Sequence, residues 1–127
     1  MTLHKQTSRL SELCPIRDVL DRLGDRWSVL VLGTLAPATL RFGELKKSIP
    51  DISPRMLAQT LRHLEQDGLV SRTVFPSIPP RVEYSMTALG VSFFEHVQGM
   101  IEWASTHHDA IRQARANYVA PQTYSEK

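Results

Sequence analysis

The stretch Ile52–Leu69, ISPRMLAQTLRHLEQDGL, constrains the chain most, because both ends of a helix are written into it. Ser53 is a favourable N-cap, and Pro54 suits the first helical position, where a missing N–H costs nothing. Gly68 is the expected stop, and Leu69 can fold back onto the last turn. Leu57, Leu61 and Leu64 recur at i, i+4 and i+7, which makes one apolar stripe. Arg55, Gln59, Arg62 and Gln66 recur at i, i+4, i+7 and i+11 on the other side. The helix therefore buries one ridge and presents a second one of Arg and Gln. Arg can fork onto guanine and Gln onto adenine in a major groove, and both can hold phosphates. An ordinary surface helix also exposes charge, so the flanking segments decide what the ridge means.

Upstream, Cys14 and Pro15 stand at the N-cap and first position of a helix carrying Ile16, Val19, Leu20 and Leu23, closed by Gly24. A second helix is expected after Asp25, with Trp27, Leu30, Val31 and Leu35 on one face, ending at Pro37. Leu40–Phe42 reads as extended. Glu44–Ser48 reads as a brief helix with Phe42, Leu45 and Ile49 inward, and Pro50-Asp51 turns into the central helix. Two helices joined by a short turn, the second with an exposed polar ridge, is the helix-turn-helix pattern.

Downstream the period changes. Val70–Phe75 is rich in β-branched residues, and Arg81–Met86 alternates Val82, Tyr84, Met86 against Arg81, Glu83, Ser85. The three prolines of Pro76–Pro80 cannot continue a strand, so the two runs make a hairpin with a stiff tip. The expected fold is mostly α with a small β-hairpin wing: a winged helix-turn-helix followed by a long helix. Thr87 caps that last helix, which is expected to run to about Tyr118, weakened locally at Gly90 and Gly99. Phe93, Val97, Met100, Ala104, His107 and Ile111 recur in steps of four and three, an a/d seam longer than a small domain can cover. A second copy of the chain is its expected cover. The organisation is then an arm over 1–13, the winged helix-turn-helix over 14–88, a dimerisation helix over 89–120 and a tail over 121–127, one structural domain overall.

Composition sets limits without choosing a function. The chain has 127 residues, 42% hydrophobic and 22% charged, as in a soluble globular protein. Its net charge is only +2. From Arg41 to His63, however, five cations (Arg41, Lys46, Lys47, Arg55, Arg62) face two anions, Glu44 and Asp51. The positive charge gathers around the central helix, as a nucleic-acid partner requires. No apolar run approaches a membrane span, and MTLHKQTSRLSEL has no secretion-signal core. A single cysteine fits a reducing cytoplasm. The five histidines form no metal-ligand spacing, no phosphate loop or catalytic motif is present, and neither metal nor cofactor is expected.

Taken together, CPIRDVLDRLGDRWSVLVLGTL, RFGELKKSIPDIS, LAQTLRHLEQDGLVSR, PPRVEYSMTALG and Trp103 resemble HxlR-type winged helix-turn-helix regulators over roughly Cys14 to Trp103. The resemblance implies a homodimeric transcription factor, often a repressor, with the 53–67 helix in the recognition position and the hairpin as wing. It implies a dimer built from the first and last helices, which adds Ile16, Val19 and Leu20 to the seam. It also implies sensing of electrophiles or oxidants through a cysteine near the N-terminus, where Cys14 stands. The chain departs in small ways, with Asp25 where glycine is common and Met86 where leucine is usual.

On this reading Arg55, Gln59 and Arg62 are candidate base readers. Ser53, Lys46 and Lys47 are candidate phosphate holders, and Arg72 or Arg81 are candidate wing contacts. Cys14 at a helix N-terminus, with Arg17 near, is placed to have a lowered thiol pKa and is the candidate redox sensor. The bland alternative is a small cap residue with no redox role, in a regulator that answers a small-molecule effector instead. The partners expected are double-stranded DNA with a two-fold symmetric operator, a second copy of the chain, and either an oxidant or an unidentified effector. A winged helix used as a protein-interaction module is the competing function. A thiol enzyme would need a base beside Cys14 that the sequence does not show.

Overall fold

The computed structural model describes residues 15–122, with side chains from Val19 onward. Cys14, the arm and the end of the tail lie outside the described residues, as does the side chain of Ile16. The elements run α1 (Pro15–Gly24), α2 (Ser28–Leu35), β1 (Leu40–Arg41), α3 (Phe42–Ser48), α4 (Pro54–Gln66), β2 (Val70–Phe75), β3 (Arg81–Met86) and α5 (Ala88–Asn117). The described chain separates into two compact units, one ending at Val97 and one beginning at Gln98.

The first unit is built around α4. Ser53 Oγ accepts from the Met56 amide at 3.0 Å and Pro54 opens the helix, so its start is fixed as its sequence demands. At the other end Leu69 N–H donates to the Leu64 carbonyl and Gly68 N–H to the Glu65 carbonyl, both at 3.0 Å, while Gly68 takes a φ of 79°. This is the Schellman closure, which glycine makes without steric cost. Leu57, Leu61 and Leu64 are buried as expected, and Thr60 is buried with them.

Those leucines share one core with residues of α2 and α3. Val31, Leu32, Leu35, Leu45, Ile49 and Ile52 complete the central core, and Val70, Phe94 and Val97 extend it. The face of α2 differs from expectation. Ser28, Val31, Leu32 and Leu35 are buried, and Leu30 is 50% exposed. SVLVLGTL is apolar almost throughout, so its composition does not set the phase; packing does. The helix also begins at Ser28, later than expected. Asp25 still caps the approach, with Oδ1 accepting from Trp27 N at 3.0 Å and Oδ2 from Ser28 Oγ at 2.8 Å.

The hairpin has the expected limits, with Arg72 opposite Tyr84 and Phe75 opposite Arg81. It gains a third strand. β1 pairs antiparallel with β3, Leu40 opposite Tyr84, giving the order β1-β3-β2. The extended piece before α3 thereby ties the helix-turn-helix to the wing.

The start of α5 is locked to the end of α4. Thr87 Oγ1 accepts from Gly90 N at 2.9 Å and donates to the Gly68 carbonyl at 2.6 Å, while Thr87 N–H donates to Leu69 O at 3.1 Å. Gly90 sits so close that an added Cβ would lie 2.1 Å from Leu69 O. Its purpose is this approach, which outweighs the helix weakness a glycine brings. The expected seam divides accordingly. Val97 is buried in the core of its own unit and Phe93 packs partly buried against that core, so Val97 is not available to a partner chain. The boundary of the winged unit therefore falls inside the helix, beyond residue 88.

In the second unit, Met100, Ile101 and Trp103 are exposed, Ala104 and His107 likewise, and Ile111 is half-buried. The Trp103 ring stacks on His107 at 4.4 Å between centroids, and His107 Nδ1 lies 2.8 Å from the Trp103 carbonyl. Among the described residues no helix is long and apolar enough to cross a membrane.

Candidate nucleic-acid interface

The cap at Ser53 and the buried leucines fix the rotation of α4, and that rotation puts Arg55, Gln59, Arg62 and Gln66 in solvent. The expected ridge is present, on an element held by the core rather than on a loop. Ser53 Oγ is used as the cap acceptor, which leaves its hydroxyl proton free to donate to an anion.

The other candidates are sorted by their neighbours. Lys46 is half-buried and its Nζ donates to the Pro50 carbonyl at 3.0 Å, so it fastens α3 to the turn before α4. Lys47 is exposed and shares a depression of about 420 Å³ with Arg41, Gly43 and Glu44. Arg41 was not among the expected contacts. Its signal was its place in the basic cluster, and its position beside Lys47 comes from β1 pairing. Glu44 closes the start of α3, accepting from Arg41 N at 2.8 Å.

On the wing, Arg81 is engaged. Its guanidinium lies 4.3 Å from the Phe75 ring centroid and its Nε 3.2 Å from Glu83. It braces the hairpin beside the tip, and its charge is already answered, which makes it a poorer phosphate holder than Arg72. Arg72 is exposed and lines a groove of about 310 Å³ with Arg62, across from α4. Among the described residues the ion pairs are Arg22–Asp67 and Arg81–Glu83, so Arg41, Lys47, Arg55, Arg62 and Arg72 keep uncompensated charge.

Arg22 and Asp67 join α1 to the C-cap of α4 across 45 positions of sequence. The hydrogen bond to Asp67 holds the Arg22 guanidinium above the usual arginine range, against a smaller opposing effect of burial. Beside the pair, Val19, Leu69, Leu89 and Phe93 line a mostly apolar cleft of about 390 Å³.

An exposed, uncompensated Arg/Gln ridge on the second helix of a helix-turn-helix, with a three-stranded wing behind it, is a nucleic-acid-binding geometry. Residues 22–112 match the family model for the HxlR-like helix-turn-helix. The chain belongs to that family. Among HxlR-like relatives, the HTH-type transcriptional regulator YtfH of Escherichia coli (strain K12) is 41% identical over 115 residues, covering 88% of this chain and 91% of YtfH. The solved structure of a YtfH regulator from Salmonella typhimurium is similar at a TM-score of 0.73, with 39% identity over 84% of this chain and 95% of that one. The redox regulator HypR in its reduced form is similar at 0.73, with 35% identity, covering 78% of this chain and 98% of HypR. The chain is thus a DNA-binding transcriptional regulator of the HxlR-like winged helix-turn-helix type.

Proposed function

We propose that this regulator works as a homodimer that inserts α4 of each copy into successive major grooves of a two-fold symmetric operator and represses the gene beside it. The observation that carries the reading is the free ridge of Arg55, Gln59 and Arg62, presented by a helix whose two ends and buried face are fixed. Arg55 and Gln59 read base edges, while Ser53, Lys47, Arg41 and Arg72 hold phosphates. The two recognition helices of the dimer sit about 34 Å apart, one helical turn of DNA.

The dimer is supported by the second unit, where Met100, Ile101, Trp103 and Ala104 leave an apolar stripe uncovered. With Val97 and Phe93 committed to the first unit, the seam contributes from Met100 onward, through Ala104, His107 and Ile111. Val19 and Leu20 on α1 are also exposed and are offered to the partner chain. The protein acts in the cytoplasm, where its DNA is.

Cys14 is the switch in this reading. It directly precedes α1 in the sequence, a helix N-terminus is a setting that favours a thiolate, and the similar HypR is a redox regulator. Oxidation to a sulfenic acid or a mixed disulfide changes charge and bulk at the start of a helix tied to α4 through Arg22 and Asp67. The test is a titration of the protein onto the duplex upstream of its own gene and onto an unrelated duplex, before and after a mild oxidant. Specific binding that the oxidant weakens, and that Cys14→Ser makes insensitive, is the expected result. Specific binding indifferent to oxidant overturns the switch and leaves a regulator that answers a small-molecule effector. Equal weak binding to both duplexes means that the operator lies elsewhere or an effector is missing, and raises the reading of a protein-interaction module.

A further inference from the structure

Arg72 stands where the alternation of β2 calls for an apolar side chain. Val70, Arg72 and Val74 share one face of the strand, and Val70 is buried in the core. Arg72 lies opposite Tyr84, whose ring packs against that core. Just where the core ends, the space between α4 and the hairpin opens into the groove of about 310 Å³ lined by Ala58, Leu61, Arg62, Glu65, Arg72 and Tyr84. Arg62 lines it from the helix and Arg72 from the wing. Glu65 lines the same groove, yet among the described residues neither arginine forms an ion pair with it. Two cationic side chains lining one cleft repel each other and favour an anion there. With one carboxylate beside them the groove carries a net charge of about +1, matching the single charge of a phosphodiester.

We infer that this groove seats one phosphate of the DNA backbone, held by Arg62 from the recognition helix and by Arg72 from the wing, with Glu65 as a built-in competitor that limits how tightly any duplex is held. The inference rests on the DNA-binding reading and moves Arg62 from base reading to phosphate holding. A strand passing from the groove read by α4 toward the wing crosses this cleft. The planar forks of two arginines suit a tetrahedral anion approached from two sides. Glu65 disfavours every sequence equally, so it lowers non-specific affinity without altering base preference.

The test uses the full chain, a duplex carrying its operator and an unrelated duplex, each titrated over a range of salt. Arg62→Gln and Arg72→Gln are each expected to weaken binding about tenfold on both duplexes, with base preference unchanged. Because they share one phosphate, the double variant should lose little more than either alone. The slope of log affinity against log salt should fall by about 0.9, the count of one phosphate. Glu65→Gln should tighten both duplexes severalfold. All three side chains are exposed, and circular dichroism with a thermal midpoint checks that each variant folds. Multiplicative losses with a slope change of about 1.8 mean separate phosphates and overturn the seat. So does a loss confined to one base position for Arg62→Gln, or a Glu65→Gln variant indistinguishable from wild type. If the wild-type chain binds neither duplex, the DNA reading itself fails. If it binds the operator and these variants match it, only the seat fails.

Discussion

Replacing Gly90 by alanine sets two effects against each other. In a helix interior alanine is favoured over glycine by about 1 kcal/mol, so propensity alone predicts a gain. The structure predicts a loss. The new Cβ would lie 2.1 Å from Leu69 O and 3.0 Å from the carbonyl carbon, and the obstacle is backbone that no side-chain rotation removes. Relief requires α5 and the start of β2 to part by about 1 Å. Overpacking of this kind costs about 1–3 kcal/mol. The same movement strains the Thr87 bonds to Gly68 and Leu69, each contributing about 0.5–1.5 kcal/mol. After the propensity gain the expected net loss is about 1–5 kcal/mol. Urea unfolding followed by circular dichroism should show a midpoint lower by on the order of 1–2 M with the slope unchanged. A Gly90→Ala variant that unfolds at or above the wild-type midpoint would refute the reasoning, because the approach of α5 to Leu69 could not then be as close as described.

Gly99 is the matched contrast: a Cβ there meets nothing within 4 Å, so Gly99→Ala should stabilise α5 by about 0.5–1 kcal/mol, read as a raised thermal midpoint. Asp67→Asn removes the partner of Arg22 from a partly exposed pair and should cost about 0.2–1 kcal/mol, with the difference from wild type shrinking in high salt. Since the Arg22 pKa is raised, its contribution is present at neutral pH and on the alkaline side is lost only as pH rises through the folded arginine value; the cost of Asp67→Asn should therefore be flat across neutral pH.

Where the sequence spoke locally, it was legible. Ser53, Pro54 and Gly68 are punctuation that acts within one turn, and α4 begins and ends where they place it. The alternation in Arg81–Met86 and the prolines after Phe75 mark the hairpin to the residue. What was not legible depends on partners far along the chain. The phase of α2 is chosen by what packs against it, because Leu30 and Leu32 are equally apolar. The two residues of β1 become a strand only because Tyr84 and Glu83 lie alongside. Gly90 looked like a weak point in a helix and is a contact with Leu69. Val97 fits an a/d seam and also fits the core that takes it, and periodicity alone does not separate those destinations. On the candidate interface, the exposure of Arg55, Gln59 and Arg62 followed from the leucine stripe, whereas the bracing of Arg81 on Phe75 and Glu83, and the groove that Arg62 and Arg72 line together, are tertiary facts.

The central claim is that the free ridge of α4 reads an operator. Its most direct test is Arg55→Ala, titrated at fixed salt onto the operator and onto variants of it with single base-pair changes. The claim predicts that specific binding weakens by about 1–3 kcal/mol and that discrimination is lost at one base position in each half-site, with binding to unrelated DNA little changed. Unchanged affinity and unchanged preference at every position would contradict it, and would move the reading surface off the helix around which this chain is built.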